Sequence, residues 1–160
     1  MNIVKVLKAD FEECANIIWE TEMGKKYYPT KKYLLKEIEK GQNRDEIYVA
    51  EADTGDIQGV IWYQLVGMFH HFPYLHIIAV KEDWQKQGIG SKLLDFFERD
   101  ALKSGKNHIS TKVFLSVGDF NVEAEKLYSN RGYEKICEIE GLFRKNITEK
   151  IFIKQIISYM

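Results

Sequence analysis

Apolar residues recur along this chain with two different periods, and the switches between them divide it into elements. Residues 3–7 open with a short apolar run that predicts a strand. Asp10 offers an N-cap with Glu13 as its capping-box partner, and Phe11, Cys14, Ala15, Ile18 and Trp19 follow at helical spacing to about Glu22. Residues 23–29 read as a loop. Thr30 caps a second helix through Tyr33, Leu34 and Ile38, with Gly41 as its stop. Residues 47–52 and 57–66 read as strands around a hairpin turn at residues 53–56, where Gly55 can take a positive φ. An aromatic loop at 67–73 precedes a dense apolar strand at 75–80. A glycine-bearing turn then leads into a helix whose stripe is Ile89, Leu93, Phe97 and Ala101, ending at Gly105. A β-branched strand at 109–117, a helix opened by Asn121 and running through Ala124, Leu127 and Tyr128, and two closing strands at 133–139 and 150–156 complete the chain.

This order gives seven strands and four helices, a mixed α/β (α+β) arrangement of a central sheet with helices on its faces. No repeat, low-complexity segment or linker interrupts it, and Pro29 and Pro73 punctuate loops, so residues 1–160 are expected to form one domain. The last strand, residues 151–157, carries apolar surface that suits a buried interior strand or the edge of a homodimer equally.

Composition narrows the function classes. A formal net charge of −1 argues against nucleic acid or a membrane surface as partner, while leaving room for a small basic pocket. Cys14 and Cys137 have neither metal-ligand nor disulfide-framework spacing and are expected to be buried, reduced thiols in a cytoplasmic protein. The adjacent His70 and His71 lack an accompanying carboxylate or cysteine cluster, so no metal is expected.

The informative segment is Val80-Lys81-Glu82-Asp83-Trp84-Gln85-Lys86-Gln87-Gly88-Ile89-Gly90-Ser91, where a buried strand ends, a glycine-bearing turn follows and an amphipathic helix begins. The first turn of a helix leaves backbone N–H groups without partners, and the aligned peptide dipoles concentrate positive charge there. Gly88 and Gly90 let a ligand approach the backbone, which makes an anion site suited to a pyrophosphate. Glycines before a helix also make tight turns with no further role. The nucleotide-binding P-loop pattern is absent, and the glycine spacing is wrong for a dinucleotide fold.

Gln85-x-x-Gly88-x-Gly90 resembles the Q/R-x-x-G-x-G/A signature of the GNAT N-acetyltransferase superfamily. Asn121-x-x-Ala124-x-x-Leu127-Tyr128-x-x-x-Gly132-Tyr133 is similar to that family's second motif, and the element order fits along nearly the whole chain. The resemblance implies a mixed, mostly antiparallel sheet and acetyl-coenzyme A as co-substrate. It implies that the amides of Gln85, Lys86, Gln87, Gly88, Ile89, Gly90 and Ser91 hold the pyrophosphate. Ile78 and Val80 would hydrogen-bond the pantetheine arm like an added strand, with the Val80 N–H toward the thioester oxygen. Asn121 would contact the coenzyme, and Tyr128 would protonate the departing thiolate.

Plainer readings stand beside these. Tyr128 suits a core tyrosine and Asn121 a helix N-cap. The strand at 75–80 lacks the carboxylate that many members use as base. His76 is the alternative, since His76-Ile77-Ile78-Ala79-Val80 is similar to the corresponding strand of arylalkylamine acetyltransferases. Glu82 and Asp83 read as solvated turn residues. The acceptor, a small-molecule amine or a protein or peptide amine, would pass loops at 23–30, 67–73 and 140–146, which include Tyr27, Tyr28, Phe69 and Phe72. The expected activity is N-acetyl transfer to a primary amine; a catalytically silent acyl-CoA sensor and a nucleotide-binding regulator are the competing classes.

Overall fold

The computed structural model describes residues 1–105 and 109–158. Its strands are β1 (Asn2–Lys5), β2 (Glu46–Glu51), β3 (Ile57–Met68), β4 (Phe72–Val80), β5 (Ser110–Gly118), β6 (Glu134–Glu140) and β7 (Thr148–Ile157). The helices are α1 (Phe11–Trp19), α2 (Glu22–Tyr27), α3 (Lys31–Arg44), α4 (Ile89–Ser104) and α5 (Val122–Asn130). One sheet of seven strands runs in the order β1-β2-β3-β4-β5-β7-β6. β1 with β2, β2 with β3, β5 with β7 and β6 with β7 pair antiparallel, whereas β4 with β5 is parallel. The expected mixed, mostly antiparallel sheet is therefore present.

Contacts divide the chain into two compact units, Met1–Gln64 with Ile77–Phe97, and Leu65–His76 with Glu98–Met160. In the first unit, Ile18, Leu34, Ile38, Ile47, Val49, Val60 and Trp62 belong to one buried core cluster. Tyr63 packs on Phe97 at 5.0 Å, and Tyr48 on Phe96 at 4.6 Å between ring centroids. Gly59 makes room for α4: a Cβ there would meet Leu93 at 3.3 Å and Ile89 at 3.5 Å. That close approach fixes the start of α4 against the sheet.

The second unit joins β5, β7 and β6 with α5. The Tyr133 hydroxyl donates to Glu98 at 3.1 Å, and Lys154 donates to both Glu98 oxygens at 2.9 and 3.1 Å. Strand β7 is paired on both sides, by β5 and β6, so it is interior to the sheet. The edge is β6, which is exposed throughout.

Several elements differ from the sequence reading. Residues 23–29 are not simply a loop, because α2 forms there with the Thr21 hydroxyl accepting from the Gly24 N–H at 3.0 Å. A side chain on Gly24 would collide with the Ile18 carbonyl, so this glycine serves packing of α2 against α1. Gly41 does not stop α3, which runs on to Arg44. A Cβ at Gly41 would run into the Trp62 indole, so the glycine is a helix–sheet contact. Asp10 makes no capping bond to α1; its carboxylate accepts from the Leu7 N–H at 2.8 Å, and Glu13 pairs instead with Lys81. The aromatic loop shrinks to a tight turn between β3 and β4, with Phe69 at φ 57° and His70 at φ 53°. Pro73 lies within β4. The caps at Thr30 and Asn121 form as expected, accepting from Tyr33 at 3.0 Å and Ala124 at 3.3 Å. Cys14 is buried and Cys137 exposed, both free; the expectation that both are buried fails because β6 is an edge strand.

Candidate active site

The glycine turn and the end of β4 lie in the first unit. Along β4, burial alternates: Ile77 and Ala79 are buried, and Ile78 and Val80 are partly covered. Several bonds fix where the strand ends. The Lys81 N–H donates to the Gln58 carbonyl at 2.8 Å, and the Lys81 ammonium donates to Glu13 at 2.8 Å. That hydrogen bond from Lys81 holds the Glu13 carboxyl below its ordinary range. A single 3-10 turn, Glu82–Trp84, follows. The Gln85 side-chain amide reaches back to the Val80 carbonyl at 3.0 Å, so the first signature residue clamps its own turn to the strand.

Two residues of the turn have left-handed backbone, Lys86 at φ 60° and Gly88 at φ 81°. Gly88 pays no steric penalty for it, whereas Lys86, with a Cβ, carries strain. Nothing lies within 4 Å of a Cβ built on Gly88, so the space over it is open. Residues 85–88 are exposed. The Lys92 N–H makes a helical bond to the Gly88 carbonyl at 3.0 Å. The N–H groups of Ile89, Gly90 and Ser91 precede it, and helix geometry gives them no acceptor within α4. Helix-entry amides without an acceptor inside α4, a helix of 16 residues behind them and an open glycine before them fit a phosphate-bearing ligand.

His76, Asn121 and Tyr128 lie in the second unit. His76 is exposed, on the face of β4 that alternates with buried Leu75 and Ile77. Asn121 is occupied as the N-cap of α5. Tyr128 is 7% exposed, its ring 5.8 Å from that of Tyr133. Burial, and then neighbouring Tyr74, push the Tyr128 phenol well above the ordinary tyrosine range, so it stays protonated through neutral pH. The ladder between β4 and β5 has two pairs, Tyr74 with Phe114 and Leu75 with Leu115, while β4 continues to Val80.

Sequence reasoning missed a polar group on β4, β5 and β7. The Tyr74 hydroxyl and Ser116 Oγ are 2.9 Å apart, and Glu149 is 2% exposed. Ser116 interrupts the apolar run Val113-Phe114-Leu115-Ser116-Val117, a signal that was available. Among the described residues no cluster of three metal-ligating side chains forms. No described helix is long and apolar enough to cross a membrane.

Comparison with known proteins places this geometry in a class. The family model described as an acetyltransferase (GNAT) domain matches residues 43–135, more than half of the chain. The chain belongs to the GNAT acetyltransferase family. Its fold is similar to a GNAT-family acetyltransferase from Bacillus cereus, with TM-score 0.75 and 18% identity over 98% of each chain. A ribosomal-protein-alanine N-acetyltransferase from Brucella melitensis matches with TM-score 0.77 and 18% identity, over 98% of this chain and 100% of that one. A spermidine N-acetyltransferase chimera from Vibrio cholerae matches with TM-score 0.73 and 16% identity, over 96% and 95% of the two chains. At these identities the likeness establishes the fold. No curated protein matches the sequence significantly.

Proposed function

We propose that the chain is a single-domain, acetyl-CoA-dependent N-acetyltransferase that transfers the acetyl group to a primary amine by direct attack. The observation that carries this reading is the open, exposed turn at residues 85–88, with left-handed Lys86 and Gly88, leading into the first amides of α4. The amides of residues 85–91 would hold the pyrophosphate, with the Lys86 side chain adding positive charge at the rim. Asn121, already capping α5, would also touch the coenzyme.

Acetyl-CoA supplies an activated acyl group when bound; the protein's part is to orient it and manage charge. Ile78 and Val80 would offer backbone groups to the pantetheine arm, in keeping with a β4–β5 ladder of only two pairs. The Val80 N–H would donate to the carbonyl oxygen as negative charge grows there, a fixed dipole that needs no reorganisation. An alkyl amine with pKa near ~10.4 is mostly protonated at neutral pH, so a proton must leave before attack. Exposed His76 is the proposed acceptor of that proton, directly or through water. The amine then forms its bond to the carbonyl carbon and gives up its second proton, the carbon–sulfur bond breaks with its electron pair going to sulfur, the Tyr128 hydroxyl passes its proton to the sulfur, and the proton released by nitrogen, relayed through water, restores the phenol. Neither cysteine is needed; burial, and then the charges of Asp10 and Glu13, push the Cys14 thiol up to about 12, far from a reactive thiolate.

The experiment is acetyl-CoA turnover against a panel of primary amines, read as free thiol. Amine-dependent release supports the enzyme. Tight acetyl-CoA binding without release on any amine would instead support a silent acyl-CoA sensor.

A further inference from the structure

Just after α5, Gly132 takes φ 88°, a left-handed backbone that glycine adopts without strain. Its N–H donates to the Ser129 carbonyl at 3.1 Å, and the Tyr133 N–H donates to the Tyr128 carbonyl at 3.0 Å. These two bonds form a Schellman cap, in which the side chains at the two ends of the wider bond commonly pack together. Here those side chains are Tyr128 and Tyr133, with ring centroids 5.8 Å apart and planes at 62°. An edge-to-face pair of this kind fixes each ring against the other. The spacing Tyr128-x-x-x-Gly132-Tyr133 is what such a cap demands.

Tyr133 is itself anchored. It is buried, and its hydroxyl donates to Glu98 on α4 at 3.1 Å. Lys154 on β7 donates to both Glu98 oxygens at 2.9 and 3.1 Å, and its ammonium lies 5.4 Å from the Tyr133 ring centroid. A Cβ on Gly132 would lie 3.6 Å from Lys154 Cε, so the lysine stem passes alongside the cap. Both partners of the Glu98–Lys154 ion pair are largely withdrawn from water, which screens it less than a surface pair. Burial, and then the charge of Glu98 and the bond to it, push the Tyr133 phenol far above the ordinary tyrosine range, so it stays a donor to the carboxylate through neutral pH. The cap needs only an apolar ring at position 133. The hydroxyl and its partners are what capping does not explain.

Taking as its basis the acetyltransferase reading in which Tyr128 is the acid, we infer that Tyr133 is a positioning residue for the transfer: its hydroxyl, held by Glu98 and Lys154, fixes the Tyr133 ring, and the capped ring pair in turn aims the Tyr128 phenol. Tyr133 touches neither cofactor nor acceptor in this scheme and acts through Tyr128. A phenol that hands its proton to a departing sulfur works only within hydrogen-bond reach of it. Displacing such a group by about 1 Å can slow the chemical step by up to about 100-fold while the groups that bind the cofactor are untouched.

The test is a double-mutant cycle between Tyr133→Phe and Tyr128→Phe in the full chain. Turnover is measured with acetyl-CoA and the fastest of three primary amines: benzylamine, putrescine and a peptide with a free N-terminus. Tyr133→Phe keeps the ring and the cap and removes the hydroxyl. Alone it is expected to lower kcat about tenfold, a factor equal to about 1.4 kcal/mol, with the KM for acetyl-CoA within about twofold of wild type. In the Tyr128→Phe background it is expected to change kcat by less than about twofold, because no phenol is left to aim. An equal loss in both backgrounds marks a merely structural role and overturns the proposal, as does an unchanged kcat in Tyr133→Phe alone. A second readout needs no turnover. The ring-flip rate of Tyr128, read by NMR on isotope-labelled tyrosine, is expected to rise at least about tenfold once the anchoring hydrogen bond is gone. An unchanged flip rate also overturns the proposal. If Tyr133→Phe does not fold, Glu98→Ala, which leaves both rings in place, is read in the same two ways. Wild type that turns over none of the three amines, with a flip rate that still responds, would count against the acetyltransferase reading and not against the hold of Tyr133 on Tyr128.

Discussion

At the scale of single residues, the proposed chemistry depends on where protons and backbone torsions are held. Tyr128 is buried beside Tyr74 and keeps its proton through the neutral range. Tyr128→Phe removes the hydroxyl and little else, so steady-state kinetics are expected to show kcat lower by on the order of 100-fold, with acetyl-CoA affinity unchanged. Unchanged kcat would remove Tyr128 as the acid. The turn offers a paired stability test. Gly88→Ala places a Cβ at φ 81° and is expected to cost about 1 kcal/mol in urea unfolding. Lys86→Gly relieves the same kind of strain at φ 60° and is expected to be neutral or stabilising. Motif spacing alone singles out Gly88, Gly90 and Tyr128 as candidates. Glu149 and Tyr74 are not singled out, since a sheet brings together residues 75 positions apart and no local pattern marks the meeting.

At the scale of elements, local signals worked where the cause was local and failed where it was a neighbour. Thr30 and Asn121 cap their helices through their own side chains, and both were readable. Gly41 reads as a stop, yet α3 continues through it, and the residue is glycine because the Trp62 indole fills the place a side chain would take. Gly41→Ala is therefore expected to cost about 1–3 kcal/mol by overpacking, rather than to gain the usual helix preference of alanine. The same tryptophan donates to buried Asp45 at 2.8 Å, and Gln64 and Arg44 add bonds of 3.0 and 3.2 Å. Burial alone would raise the Asp45 carboxyl, but these bonds outweigh it and hold it low. A carboxyl depressed in the folded state contributes stability above its unfolded pKa of about 3.9 and loses it as pH falls through the folded value. Urea unfolding from pH 7 to pH 3 is thus expected to show a steeper acid loss for wild type than for Asp45→Asn. Parallel slopes would show that Asp45 is not so held.

At the scale of the whole molecule, strand and helix order was readable because period-2 and period-3.6 patterns are strong over elements of this length. The short helix α2 escaped, since six residues with a packed glycine give no periodic stripe. What the fold accomplishes is to bring a strand end and a helix start to one turn: Gln85 bonds back to Val80, Gly59 admits α4, and Lys81 ties the strand end to α1. A ligand bound there stabilises the folded state by mass action, by about 2.7 kcal/mol at a hundredfold excess over Kd. Acetyl-CoA at that excess is expected to raise Tm by several degrees, and a flat thermal profile would count against binding.

The most direct measurement is calorimetric titration of the purified chain with acetyl-CoA and, separately, with pantetheine, which lacks the diphosphate. Saturable binding of acetyl-CoA with much weaker binding of pantetheine is the predicted result, since under the proposed function the amides entering α4 would grip the diphosphate. Equal affinity for the two, or no heat from acetyl-CoA, would contradict it.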